Sequence, residues 1–261
     1  MTVTSMGARV LFAGLLGALL SCLPVRAAPD AQALLQASDA IRNPRESFKL
    51  STELFEYRAG KLKNSLLLTV YARPDGDGRY GNLIRFEKPA RDANKLMLFQ
   101  GKDLWFYDPT ARASFRLSPR QRLIGQAANG DVVNAAFARD YQAVVEAEED
   151  VADGDRATRQ SYKLRLTAST PDATYAAIEY WQDRATANPI KARFFTASGQ
   201  LLKTAFYRKF EPWLGKERPT EVVIIDGLNA QWVTILRYAG FAAQEIPEAW
   251  MQRDYLPRFQ N

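Results

Sequence analysis

Carboxylates crowd one stretch of this sequence, at Glu146, Glu148, Glu149, Asp150, Asp153 and Asp155. Two carboxylates facing each other across a cleft could hydrolyse a glycosidic bond. Strand alternation instead puts Glu146 and Glu148 on one face, at a strand end that runs into a Gly-containing turn. A solvated turn is the better reading. Asp75, Asp77 and Gly78 have the look of a calcium loop, but no bidentate Glu follows at loop position twelve, so an ordinary turn is expected there too. No phosphate-cradling glycine loop exists. The chain has 261 residues, one Cys and no His. That composition rules out a Ser-His-Asp triad, a Cys-His pair, imidazole metal ligands, thiolate zinc clusters and any intrachain disulfide. The residue types therefore argue against an enzyme and imply no cofactor and no metal.

The elements that carry these residues begin with a targeting segment. Arg9 supplies positive charge, Val10 to Leu23 form an apolar run, and Val25-Arg26-Ala27 offers small residues for cleavage before Ala28. At roughly 14 residues the run suits a signal peptide and falls short of a bilayer span. Residues 1–27 are thus expected to be removed, leaving 28–261 as a single domain in the periplasm. Leu19-Leu20-Ser21-Cys22 also resembles a lipobox, so acylation at Cys22 stands as the alternative to plain secretion.

A short helix follows, capped by Asp30 and ended by Asn43-Pro44, with Leu34, Leu35 and Ile41 at helical spacing. Period-two alternation then takes over. Phe48, Leu50, Thr52 and Leu54 form one run, Leu62, Leu66, Leu68 and Val70 the next, and Tyr80, Ile84 and Phe86 a third. Ala59-Gly60 and Pro74 to Gly78 supply hairpin turns. Pro119 to Asn129 reads as loop, and Asp131 as the cap of a helix running through Ala138. Strands resume from Gln142 to Tyr238, and the tail from Pro247 to Phe259 reads as short helix or ordered coil. About eleven or twelve antiparallel strands are expected, too many for a sheet that neither curls nor closes.

Arg112, Arg116, Arg120 and Arg122 crowd one region of a chain with 35 Lys+Arg against 29 Asp+Glu. Basic clusters can hold phosphate backbones, but a secreted protein rarely meets nucleic acid, and no nucleic-acid partner is expected. Anionic lipid headgroups suit the same charges better. Several strands are apolar on both faces, among them Leu96-Met97-Leu98-Phe99, Leu104-Trp105-Phe106-Tyr107 and Val222-Val223-Ile224-Ile225. An antiparallel sheet with one wet face should alternate instead. Either both faces are covered, or the sheet curls around an apolar interior. Such an interior holds a guest or is a tight β core.

The segments Ile84-Arg85-Phe86-Glu87-Lys88-Pro89, Asp103-Leu104-Trp105-Phe106-Tyr107-Asp108-Pro109, Phe115-Arg116-Leu117-Ser118, Leu123-Ile124-Gly125-Gln126 and Asn129-Gly130-Asp131, together with Phe137 to Tyr141, occur in an order that resembles the outer-membrane lipoprotein-sorting family with a LolA-like fold. The resemblance implies a mainly β, strongly curved, open antiparallel half-barrel with short lid helices. It also implies a concave apolar face that receives acyl chains of lipids or lipoproteins, carried between inner and outer membrane. An inner-membrane lipid exporter is then a natural partner, and a monomer is expected. A non-enzymatic sensor or accessory subunit is the other reading. Candidate guest-contacting residues are Leu66, Leu68, Val70, Ile84, Phe86, Leu98, Trp105, Tyr107, Phe115 and Leu117, with Val133, Phe137 and Tyr141 from the lid. Arg116 alternates with Phe115 and Leu117 and is expected on the opposite face.

Overall fold

The computed structural model describes residues 1–2, 29–76, 79–133, 136–170 and 173–260. The expected leader beyond its first two residues, Cys22, and turn positions Asp77 and Gly78 lie outside the described residues. Helix α1 (Ala31–Arg42) starts where the Asp30 carboxylate accepts from the N–H groups of Gln32 and Ala33, the usual way a helix start is satisfied. It stops at Asn43, whose place before Pro44 disfavours helical backbone.

A first meander follows: β1 (Phe48–Arg58), β2 (Lys61–Pro74), β3 (Tyr80–Lys88), β4 (Leu96–Gln100), β5 (Asp103–Asp108) and β6 (Ala113–Leu117). Ala59 and Gly60 both take positive φ, 50° and 74°, which closes β1 onto β2 in a two-residue turn. A connecting segment then carries the hairpin β7 (Arg122–Ile124) and β8 (Ala127–Ala128), a 3-10 turn at Asn129–Asp131, and the one-turn helix α2 (Phe137–Asp140). The second meander is β9 (Tyr141–Ala152), β10 (Thr158–Ala168), β11 (Ala177–Asp183), β12 (Pro189–Phe195), β13 (Leu201–Trp213), β14 (Lys216–Asp226) and β15 (Trp232–Ala243).

The two meanders join where β1 pairs with β15, Leu54 opposite Leu236. The result is one antiparallel sheet of 13 strands, ordered β6-β5-β4-β3-β2-β1-β15-β14-β13-β12-β11-β10-β9. Its two edges, β6 and β9, do not pair with each other, so the sheet stays open. Register shifts at Lys49/Ser51, Glu56/Tyr57 and Lys163/Leu164 insert the bulges that bend such a sheet. This is the mainly β, strongly curved open half-barrel that the family resemblance implies, with more strands. The extra pair, β7–β8, lies in the stretch read as loop, where runs of two and three residues are too short to show a period.

The helix expected from Asp131 through Ala138 is not formed as such. The Asp131 carboxylate accepts from the upstream Ala128 N–H at 2.7 Å and from Lys203, so it does not cap a downstream turn. Helix α2 starts only at Phe137.

The inner face of the sheet carries one large apolar cluster, which includes Leu54, Leu68, Val70, Ile84, Leu164, Ile224 and Leu236, and into which α1 inserts Leu35. A second cluster lies on the outer face of β2 to β5, where Tyr71, Leu83, Leu96, Leu98 and Tyr107 meet Ile246, Met251 and Leu256 of the tail. Two 3-10 segments, Glu248–Met251 and Arg253–Arg258, hold the tail against that face. The doubly apolar runs of β4 and β5 are thereby explained, since their strands are covered on both sides.

Candidate functional site

The connecting segment leaves one edge strand, β6, and returns to the other, β9, so it must cross the mouth of the half-barrel. It is tied down on the way. The Gln126 N–H donates to Thr234 Oγ1 of β15 at 2.8 Å, and Lys203 Nζ of β13 donates to the Gln126 carbonyl at 3.2 Å. Helix α1 lies beside it, fastened at both ends. Gln32 Nε2 donates to the Ala138 carbonyl at 2.6 Å, while Gln32 Oε1 accepts from the Ala143 N–H at 3.1 Å. At the other end Arg218 of β14 donates to the carbonyls of Ile41 at 2.6 Å and Trp213 at 2.9 Å. Carbonyls at a helix C-terminus lack intrahelical partners, and a guanidinium is well shaped to take several.

Between this roof and the sheet lies a cavity of about 130 Å3. Val70, Ala205, Val222 and Ile224 of the sheet face Val133 and Phe137 of the connecting segment across it. An adjoining cleft of about 310 Å3 shares Gly130, Val133, Asp140 and Thr174 with the cavity wall. The interior is not purely apolar. Lys203 is 4% exposed and forms an ion pair with Asp131. Its ammonium also stands 4.8 Å from the Tyr175 ring centre and 5.3 Å from that of Phe194, a cation–π arrangement. Asp131 is itself held by the Tyr175 hydroxyl, which donates to it at 2.6 Å.

These groups are electrostatically displaced from their ordinary behaviour. Burial lowers the Lys203 pKa, with the Asp131 carboxylate opposing that shift. Burial raises the Tyr175 phenol, and Asp131 raises it further. Burial also pushes the Tyr207 phenol up to about 12. Near the roof, Arg42 pairs with Asp39 and stacks 3.9 Å from the Phe137 ring centre. Burial raises the Asp39 pKa despite that pairing. Among the described residues no group of three or more His, Cys, Asp or Glu is placed to hold a metal ion.

Of the candidate contacts, Val70, Val133, Phe137 and Tyr141 line the cavity itself. Leu68, Ile84 and Phe86 belong to the inner cluster, with Leu66 and Leu117 packed against it. Leu98, Trp105 and Tyr107 are elsewhere, on the outer face against the tail. Without a polar alternate in these runs, the sequence gives no phase to tell inside from outside. Phe115 pairs with Phe106 across the edge but is 51% exposed. Arg116 is exposed and pairs with Asp103. Several polar residues of the cavity, among them Lys203, Tyr175, Tyr207, Tyr238 and Thr52, are absent from the candidate contacts expected from sequence. Lys203 alternates with Ala205 and Tyr207 along β13, and a lone charge on an otherwise apolar period-two face was the signal available.

A family model described as "Uncharacterized protein" matches residues 78–258. No curated protein matches the chain. Among solved structures, a LolA superfamily protein from Nitrosomonas europaea is 30% identical, superposes with a TM-score of 0.78, and is matched over 87% of this chain and 100% of its own. An outer membrane lipoprotein-sorting protein domain from Vibrio parahaemolyticus shares the fold at 18% identity and TM-score 0.72, over 87% of this chain and 98% of its own. A DUF1329 family protein from Desulfovibrio piger does so at 19% identity and TM-score 0.73, over 86% of this chain and 97% of its own.

Proposed function

Given that the chain belongs to the LolA superfamily, we propose that it is a periplasmic carrier that holds acyl chains of lipids or lipoproteins in transit between inner and outer membrane. The observation that carries the reading is the cavity that lies between an apolar sheet face and a roof made of α1 and the connecting segment. Acyl chains are retained by taking apolar area out of water, about 0.8 kcal/mol for each buried methylene, with no directed bond required. The resting cavity is smaller than the roughly 300 Å3 at which ligand pockets begin, so a whole chain enters by displacing the roof into the adjoining cleft. Transfer then needs only a difference in affinity between roofed and open states.

In this reading residues 1–27 direct export and 28–261 form one binding domain that acts without catalysis. Leu66, Leu68, Val70, Ile84, Phe86, Leu117, Val133, Phe137 and Tyr141 form the guest wall. Leu98, Trp105 and Tyr107 serve the tail. An inner-membrane lipid exporter supplies the guest. Native mass spectrometry of gently purified protein should show co-purifying lipid, and a fluorescent acyl probe should bind the stripped protein. A protein always found empty and indifferent to acyl probes would remove the carrier role, and crosslinking to one dominant membrane protein would then favour an accessory subunit.

A further inference from the structure

The charged side chains that line the cavity are Arg42, Asp131, Asp140 and Lys203. Each is already matched. Lys203 pairs with Asp131, Arg42 with Asp39, and Asp140 with Arg79 at 3.5 Å. Asp131 is further pinned by the Tyr175 hydroxyl and the Ala128 N–H. The Lys203 ammonium already donates to Asp131 and to the Gln126 carbonyl, so a guest anion there stands beside a resident carboxylate in a buried site.

Uncharged hydrogen-bonding groups, by contrast, are spare. Thr52 is 1% exposed, lines the cavity, and its hydroxyl has no protein partner. Its register neighbour across the β1–β15 pairing is Tyr238. Tyr238 and Tyr207 also line the cavity, and neither hydroxyl makes a hydrogen bond among the described residues, although Tyr238 is only half-buried. Buried hydroxyls are rarely left unsatisfied without a reason. Thr52 is such a buried, unpartnered hydroxyl, and with the tyrosine hydroxyls that line the same electrically balanced cavity it forms a donor set for a carbonyl oxygen that carries no net charge.

We propose that the cavity accepts the uncharged, ester-bearing part of an acylated glycerol and discriminates against the free fatty-acid anion, with Thr52, Tyr207 and Tyr238 as the specificity-determining residues. The inference rests on the carrier reading and names its guest class. An ester carbonyl gains hydrogen bonds from the hydroxyls on entry. A carboxylate must shed its hydration into a site whose cations are taken, which is costly.

The test is competition on lipid-stripped mature protein carrying a bound fluorescent acyl probe, with 1-monooleoylglycerol or oleate as displacer at pH 8. The expected result is displacement by the glyceride at concentrations about tenfold or more below those needed for oleate, the scale at which hydrogen-bonding sites discriminate. The triple substitution Thr52→Val, Tyr207→Phe, Tyr238→Phe should weaken the glyceride about tenfold while leaving oleate within about threefold. Oleate displacing as well as the glyceride, or a folded triple variant with an unchanged ratio, would overturn the selectivity and leave the carrier role standing. Displacement by neither, with no probe bound, would remove the carrier role and this inference with it. Should circular dichroism show the variant unfolded, the wild-type ratio alone decides.

Discussion

Lys203 on β13 and Asp131 in the connecting segment, 72 residues apart in sequence, form an ion pair inside the half-barrel. It fastens the roof to the floor at a place where both charges are largely withdrawn from bulk water. Such a pair adds little net stability over an apolar substitute, yet losing one member strands the other. Lys203→Met should therefore cost about 3–5 kcal/mol, and Asp131→Leu a similar amount. The double variant Lys203→Met, Asp131→Leu should recover much of either loss. Urea denaturation of the three variants checks this, and a double variant no better than the worse single one would contradict it.

On the outer face Glu221 is 3% exposed yet accepts from Lys209 Nζ at 2.9 Å and Arg237 Nε at 3.0 Å. Burial by itself would raise its pKa, but these two hydrogen bonds outweigh burial and hold it below the ordinary glutamate value. The unfolded chain then binds more protons at this site, so stability increases with pH across the interval between the folded and unfolded values. The contribution is fully present above the unfolded value near 4.5 and is lost as pH falls through the folded one. Lys209 and Arg237 are half exposed, so screening reduces the effect to about 1 kcal/mol. Glu221→Gln should flatten the acid limb of a stability-versus-pH curve; an equally steep limb would count against the role assigned to this cluster.

Much of the sheet was legible because its strands alternate. Leu68 and Val70 on β2 are separated by Thr69, and Ile84 and Phe86 on β3 by Arg85, and each pair lies in the inner cluster. The phase was lost at Leu98, Trp105 and Tyr107, where the tail makes the second face apolar as well. No local pattern could announce that, since the covering residues Ile246, Met251 and Leu256 lie more than a hundred positions away. The cavity's polar set was hidden for a related reason. Lys203 and Asp131 acquire meaning only when the connecting segment crosses the mouth, a tertiary event without a sequence period. Thr52 reads in sequence as one more strand residue, although its buried hydroxyl has no partner.

Gly125 is the hinge point at which the β7–β8 hairpin lies on the sheet. Its φ is +53°, and a Cβ there would stand 2.2 Å from Thr234 Oγ1 and 3.1 Å from Glu56 Cγ. Both the backbone conformation and the close approach require glycine. Gly125→Ala should displace the hairpin and break the bond from Gln126 N–H to Thr234, at a cost of about 2–4 kcal/mol from strain and overpacking together. Hydrogen exchange should quicken at Gln126 before the sheet amides respond. A variant as stable as the parent would show that the hairpin does not bear on the sheet.

Ala205 offers a direct way to close the cavity without disturbing its charges. It lies on β13 between Lys203 and Tyr207 on the inner face, is 3% exposed and lines the cavity. Ala205→Phe introduces a phenyl ring into a space of about 130 Å3, close to the roughly 150 Å3 that holds a benzene molecule in an engineered core. The ring should fill the floor where a chain would begin to enter. Overpacking costs about 1–3 kcal/mol, partly offset by the ring's own burial, so the fold is expected to survive. Acyl-probe affinity should fall at least tenfold, equivalent to about 1.4 kcal/mol of lost binding. Ala205→Val, a smaller addition, should fall between the variant and the parent. A folded Ala205→Phe protein that binds the probe as well as the parent would move the guest out of this cavity.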